Sequence, residues 1–377
     1  MVRPWASLDL FSGIGGITHG LRGLARPVAY CEIDPFAQRV LHARMRDGSL
    51  PSAPVFPDVA ALHLQGQNQP RRRVDIIVGG FPCQGFSNMG LRRGYDHGGS
   101  GLYHHIVRLV DELRPAALFL ENVPNILRLG MDEVHATLTR RGYELRWCVL
   151  GASHLGAPHC RGRWFCLAVR PEAWPRLTRL VAAIPAVPGF DWSTEPDPRH
   201  RMTLVNDRLR RRRCGALGNA VVPDCVRRAF LFLVDRGHPL GDSEAVDAAA
   251  GTGWPRCGAA TGGRRAPILR PPAAPEGGGS RHHRPLVFDP RVYRSPRAPS
   301  ALLALRPLRR PLRLRHWSTP RHGSVTASNF LTERVVRDLP TQLRFELRTP
   351  HRLRRGQCNP RFLEYLMGYP PGWTDPG

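Results

Sequence analysis

A strand that runs into a glycine turn and then into a helix constrains the fold of this chain more narrowly than any other feature. Ser7-Leu8-Asp9-Leu10-Phe11 reads as a strand, Ser12-Gly13-Ile14-Gly15-Gly16 as a turn, and Ile17, Leu21 and Leu24 as one face of a helix. This is the first unit of a doubly wound nucleotide-type α/β fold, where glycines let a ligand approach the helix N-terminus. The next unit agrees. Pro27 to Cys31 ends in Glu32-Ile33-Asp34, and an acid at the tip of the second strand accepts hydrogen bonds from ribose hydroxyls in such folds. Glu32 takes that role here, while Asp34 caps the helix beginning at Pro35-Phe36-Ala37. In Val55-Phe56-Pro57-Asp58-Val59, Asp58 either faces the base of a bound cofactor or caps Ala60 to Leu64, and the pattern leaves both open.

Asp75-Ile76-Ile77-Val78 is short, β-branched and bounded by Arg71-Arg72-Arg73 and Gly79-Gly80, so it reads as a buried strand. It delivers Phe81-Pro82-Cys83-Gln84 onto a loop, and open α/β sheets place their chemistry on loops at the carboxyl ends of parallel strands. A free cysteine is commonly a small buried apolar residue, but the Gly-Gly-Phe-Pro-Cys-Gln context points to a nucleophile at Cys83. Leu91 to Gly101 has no apolar period and reads as a mobile segment over the site. Leu102 to Leu113 has helical spacing. Ala116 to Leu120 is a further buried strand that ends in Glu121-Asn122-Val123-Pro124, which places a carboxylate where it can share a pocket with Cys83. Asn122 is the better candidate to cap the helix near Pro124. Gly142 to Leu150 and Trp164 to Val169 read as strands, and between them Arg161 and Arg163 leave an extended backbone on one side.

The 377-residue chain has room for a catalytic domain with an appended part, and its formal net charge of +25 favours a polyanionic partner. All 55 basic residues are arginine. That is consistent with a GC-rich coding sequence, and arginine is also the better reader of phosphate and guanine. The nine cysteines form no CxxC pair or dense framework, so free thiols in a reducing compartment and no metal site are expected. With no signal peptide and no apolar run of about 18 residues, a cytoplasmic or other intracellular location is expected, including a viral one within a host.

Taken together, Phe11 to Gly16, Glu32-Ile33-Asp34, Pro57-Asp58-Val59, Gly80-Phe81-Pro82-Cys83-Gln84, Glu121-Asn122-Val123 and Arg161-Gly162-Arg163 resemble the DNA (cytosine-5) methyltransferases, in family order over residues 7 to 169. The resemblance implies a Rossmann-like, doubly wound, mostly parallel sheet with a small irregular recognition region. It implies S-adenosyl-L-methionine as cofactor, giving S-adenosyl-L-homocysteine, with no metal. The cofactor residues it implies are Phe11, Ser12, Gly13, Ile14, Gly16, Glu32, Ile33, Asp58, Val59, Gly80, Pro82 and Leu102. Cys214 to Pro223, followed by an apolar helix over Cys225 to Val234, looks like the family's last motif, which adds Asn219 and Val221. In relatives that motif follows the recognition region. Here it precedes a tail, 316–377, that resembles the recognition side of phage and prophage-like members. The domains implied are therefore catalytic 1–170, connection 171–213, last motif and helix 214–235, a Pro/Gly/Arg-rich disordered linker 236–315, and the tail. His159 stands where the family usually has glutamine, and its imidazole would make the site respond to pH.

By the same resemblance, the Cys83 thiolate adds to C6 of a flipped-out cytosine and loads electron density onto C5. Glu121 protonates N3, and Arg161 and Arg163 favour the thiolate and hold the base or its phosphates. Methylation of C5 and loss of Cys83 follow. The partner expected is double-stranded DNA, met by a monomer with no membrane involved. A cytosine-5 tRNA methyltransferase and a catalytically impaired DNA-binding relative are the alternatives. The residues fit a restriction-modification, a solitary or a viral role alike.

Overall fold

The computed structural model describes residues 2–64, 73–82, 100–193, 195, 201–235, 286–287 and 357–377. Their centre is a sheet of strands β1 (Trp5–Leu10), β2 (Ala25–Cys31), β3 (Val55–Phe56), β4 (Ile76–Gly80), β5 (Ala117–Asn122), β6 (Glu144–Gly151) and β7 (Gly162–Val169). The spatial order is β3-β2-β1-β4-β5-β7-β6. Strands β3, β2, β1, β4 and β5 run parallel, and β7 lies antiparallel between β5 and β6. The sheet is thus mostly parallel and Rossmann-like.

Apolar strands of this kind are covered on both faces, and side-chain parity sorts their residues into two cores. Phe119, Phe165 and Leu167 face one core, while Leu118, Leu120, Trp164 and Cys166 face the other. The first core is covered by α1 (Gly16–Gly20), α2 (Pro35–Arg46), α6 (Trp174–Ala183), α7 (Arg208–Asn219) and α8 (Pro223–Asp235). The second is covered by α3 (Tyr103–Leu113), α4 (Ile126–Leu129) and α5 (Met131–Thr139).

The stretch 171–213, read as a connection, carries α6, a two-residue strand β8 (Met202–Thr203) and most of α7. Within 236–315, Leu286–Val287 form a strand, β9, parallel to Cys148 and Val149 of β6, where the composition suggested only linker. The described end of the tail, 357–377, contains β10 (Gln357–Cys358), paired antiparallel with β8, and α9 (Pro360–Leu366). Phe362, Leu363, Leu366, Met367, Tyr369 and Trp373 of this tail are buried in the first core. At about 1.5 to 3 kcal/mol for each large apolar side chain, that burial makes the segment part of the folded unit. The rest of the 316–377 reading lies outside the described residues.

Candidate active site

The site is assembled from the carboxyl ends of β1, β2, β4 and β5 and from the loop that enters β7. After β1 the chain reverses at Phe11, whose φ of 54° is left-handed for a residue with a side chain, and continues through Gly13 and Gly15 at φ of 54° and 83°. Left-handed backbone is inexpensive for glycine, which is why the turn is glycine-rich. Ser12 Oγ donates to the carbonyl of Asp9 at 2.8 Å and ties the turn to its strand. Across from it Glu32 leaves β2 with both carboxylate oxygens engaged: Gly13 N donates to Oε2 at 2.7 Å and Asp34 N to Oε1 at 2.8 Å. Burial pushes the Glu32 carboxyl up, against the pull of those backbone donors.

Asp34 accepts from Phe36 N at 2.8 Å and caps α2. Asp58 is exposed and accepts from Ala60 N at 2.8 Å. Residues 60–64 are bends and irregular chain, with no helix, so the Asp58 contact to Ala60 N is a local one rather than a helix cap. Phe11 and Leu102, both partly buried, pack against the cluster that contains the buried Val59. Ile33 is 74% exposed. Pro82 and Gly80 are half-buried where β4 ends, and Cys83 lies outside the described residues.

Gly80 sits opposite Glu121 in the β4–β5 ladder, and a Cβ there would meet Glu121 Oε2 at 2.6 Å. Arg163 Nε contacts Glu121 Oε1 at 2.9 Å, with the two side chains 18% and 14% exposed. Burial raises the Glu121 carboxyl above the ordinary range, and the charges of Arg163 and Arg161 oppose that rise. Asn122 does not cap a helix. Its Oδ1 accepts from Val123 N at 2.8 Å and its Nδ2 donates to Phe81 O at 3.3 Å, so it joins the end of β5 to the segment that leads to Cys83.

The two arginines part company. Arg163 reaches Glu121, whereas the buried Arg161 donates from Nη2 to Gly218 O at 2.9 Å and to Ala220 O at 2.7 Å, bracketing Asn219. Asn219 itself is exposed at the end of α7. Buried His159 bonds through Nε2 to Leu366 O at 2.6 Å and accepts from Arg161 N at Nδ1 at 3.3 Å. That pattern assigns the proton to Nε2 and commits the ring to the C-terminal segment. Cys31, Cys148, Cys166, Cys214, Cys225 and Cys358 are free and buried. Cys160 is disulfide-bonded, which departs from the free thiols expected, because spacing in sequence does not reveal which cysteines a fold brings together. No group of three or more His, Cys, Asp or Glu suited to a metal ion occurs among the described residues. No helix among them is long and apolar enough to cross a membrane.

One acid at the site carries no role in the sequence reading. Asp9 is fully buried beneath the glycine turn, with Thr18 Oγ1 donating to Oδ2 and nothing bonded to Oδ1 among the described residues. Burial pushes its pKa up to about 7 from 3.8. A carboxyl raised in the folded state stabilises fully below its unfolded pKa, and that contribution is lost as pH rises through the folded value. The wild-type Tm is therefore expected to fall relative to that of Asp9→Asn between about pH 4 and pH 7, by the equivalent of at most about 4 kcal/mol. Melting both proteins across that range tests this, and parallel curves would refute it.

A mostly parallel sheet wound on both faces, with a glycine turn after β1 and an acid after β2, defines the Rossmann-like α/β class. Residues 5–213, more than half of the chain, match the family model C-5 cytosine-specific DNA methylase. The chain belongs to this family. It is similar to the type II methyltransferase M.CviJI of Paramecium bursaria Chlorella virus IL3A, 37% identical over 230 residues that cover 60% of this chain and 59% of that protein. It is also similar to the type II methyltransferase M.MspI of Moraxella sp, 36% identical over 43% of this chain and 38% of the relative. A third relative is the type II methyltransferase M.SsoII of Shigella sonnei, 32% identical over 44% and 42%. The chain thus spans about two fifths to three fifths of the length of these curated relatives.

Proposed function

We propose that the protein is a DNA (cytosine-5) methyltransferase that uses S-adenosyl-L-methionine and works through a covalent Cys83 adduct on a flipped-out cytosine. The observation that carries this reading is Glu121, half-buried, held by Arg163 at 2.9 Å and set across the ladder from Gly80, three residues before Cys83. The relatives' designation as type II methyltransferases and the excess of arginine support a DNA substrate.

The residues at the first two strand ends fit the cofactor. Gly13 and Gly15 bring backbone close to a ligand. Each Glu32 oxygen accepts one backbone N–H, which leaves lone pairs for ribose hydroxyls. Phe11, Val59 and Leu102 offer an apolar wall for its base. S-adenosyl-L-methionine, when bound, supplies an electrophilic methyl group for C5.

The chain's own residues do the rest. The Cys83 thiolate forms a bond to C6, and the electron pair of the C5=C6 bond is displaced into the ring. As charge builds at N3, the Glu121 carboxyl donates its proton there, and its raised pKa keeps that proton available. Arg163 keeps the carboxyl oriented. Arg161 holds the Gly218 to Ala220 backbone through its two carbonyl contacts. Once C5 has been methylated and has lost its proton, Cys83 leaves as a thiolate and the C5=C6 bond is restored.

Methyl-labelled cofactor offered with double-stranded DNA or tRNA tests the reading. Label in the DNA is expected, at cytosines that bisulfite sequencing then identifies. Label confined to tRNA would favour the RNA alternative. Salt-sensitive DNA binding with no label would leave only a binding relative.

A further inference from the structure

We propose that Tyr369, in the C-terminal segment, is a positioning residue for the cofactor turn, so that docking of the chain's last residues and affinity for the cofactor are linked. This deepens the cofactor assignment above and rests on it. The segment touches the turn from two sides. Trp373 Nε1 donates to Ile14 O, inside the turn, at 2.8 Å. The fully buried Tyr369 hydroxyl donates to Val221 O at 2.8 Å. Gly16 completes the arrangement: a Cβ there would run into the Tyr369 hydroxyl and would also meet Val221 Cγ1 at 3.0 Å. Glycine is needed at position 16 because the tail occupies the space a side chain would take.

The tail is itself held firmly. Glu364, fully buried, accepts from Gly372 N at 2.7 Å and Thr374 N at 2.9 Å, and it pairs with Arg213 of α7 at 3.0 Å. Arg44 of α2 donates to Gly372 O and Trp373 O at 2.7 and 2.8 Å. The Tyr369 hydroxyl is thus a fixed donor that sets where the Val221 carbonyl, and with it the last motif, lies against Gly16. A hydroxyl that only held the tail in place would affect stability alone.

The tail provides its own matched control. Tyr365 donates its hydroxyl to Trp192 O, also at 2.8 Å, on a contact that does not involve the turn. Tyr369→Phe and Tyr365→Phe each remove one buried hydroxyl bonded to a carbonyl and leave the ring. Titration calorimetry with S-adenosyl-L-methionine is expected to show roughly tenfold weaker binding for Tyr369→Phe and a change within about twofold for Tyr365→Phe. Melting curves should show comparable small drops in Tm for both. Equal affinities in the two variants, whether unchanged or equally weakened, would overturn the positioning role while leaving the cofactor reading intact. A wild-type protein that fails to bind the cofactor would overturn both.

Discussion

Replacing Cys83 by alanine is expected to abolish methyl transfer to DNA, by at least about 10⁴-fold, while S-adenosyl-L-methionine binds within about twofold of the wild-type affinity. The expectation rests on the Gly-Gly-Phe-Pro-Cys-Gln context and on the described residues that lead up to Cys83. Strand β4 ends at Gly80, directly across the ladder from Glu121, and three residues of chain reach at most about 11 Å. Gly80, three residues before Cys83 in the chain, faces a half-buried carboxyl on which two guanidiniums, Arg163 and Arg161, both act. Positive charge close to a thiol favours the thiolate, the form that attacks. Cytosine C5 does not take a methyl group until a nucleophile has added at C6, so loss of the sulfur removes the reaction itself and leaves the glycine turn and Glu32 untouched. A filter assay with labelled cofactor reads the first quantity and calorimetry the second. Methylation by the purified variant above about one per cent of the wild-type rate would remove Cys83 from the role of nucleophile.

The parts of this site that were legible in the sequence are those built from neighbours in the chain. The glycine turn follows its strand directly, Asp34 caps a helix that starts at the next residue, and the apolar runs at Ile76 and Ala117 are strands because β-branched and apolar residues buried on both faces need little else. What escaped is built from distant pairs. His159 meets Leu366 across 207 positions, and Trp373 meets Ile14 across 359. No local period encodes such contacts, so the sequence offers only a resemblance by which to read the tail. Arg161 and Arg163 show the same limit: two residues apart, they share a side by alternation, yet one serves the last motif and the other Glu121. Two buried acids did leave a signal. Asp9 lies between Leu8 and Leu10, and Glu364 between Leu363 and Tyr365. An acid inside an apolar run cannot be left without a partner at acceptable cost, so each pointed to a donor elsewhere. Thr18 supplies it for Asp9, and Arg213 and Thr374 supply it for Glu364.

Glu121→Gln is expected to lower kcat by about 10² to 10³-fold with little loss of stability, because it separates the chemistry of this carboxyl from its packing. Glutamine keeps the shape, and its Oε1 can still accept from Arg163 Nε, so the cost to folding should stay within about 1 kcal/mol. What glutamine cannot do is deliver an acidic proton to N3, and positioned acid–base groups contribute about 10² to 10⁴-fold. The pH profile makes the argument stricter. Burial raises the Glu121 pKa and the two arginines only oppose that rise, so the donating form is the one lost as pH climbs through the raised value. Wild-type activity should therefore carry a descending limb on the alkaline side of that pKa, set against the ascending limb of Cys83 ionisation. In Glu121→Gln the descending limb should vanish while the ascending one stays. Alanine at the same place is expected to be worse on both counts, since it also takes the carboxylate away from the Arg163 guanidinium, which is only 18% exposed and keeps just its bond to Gly162 O among the described residues. Single-turnover rates for the three proteins across the pH range, with Tm measured alongside, distinguish the outcomes. A glutamine variant that keeps more than a third of wild-type kcat, or that keeps the descending limb, would take proton donation away from Glu121 and leave it as the group that holds Arg163 in place.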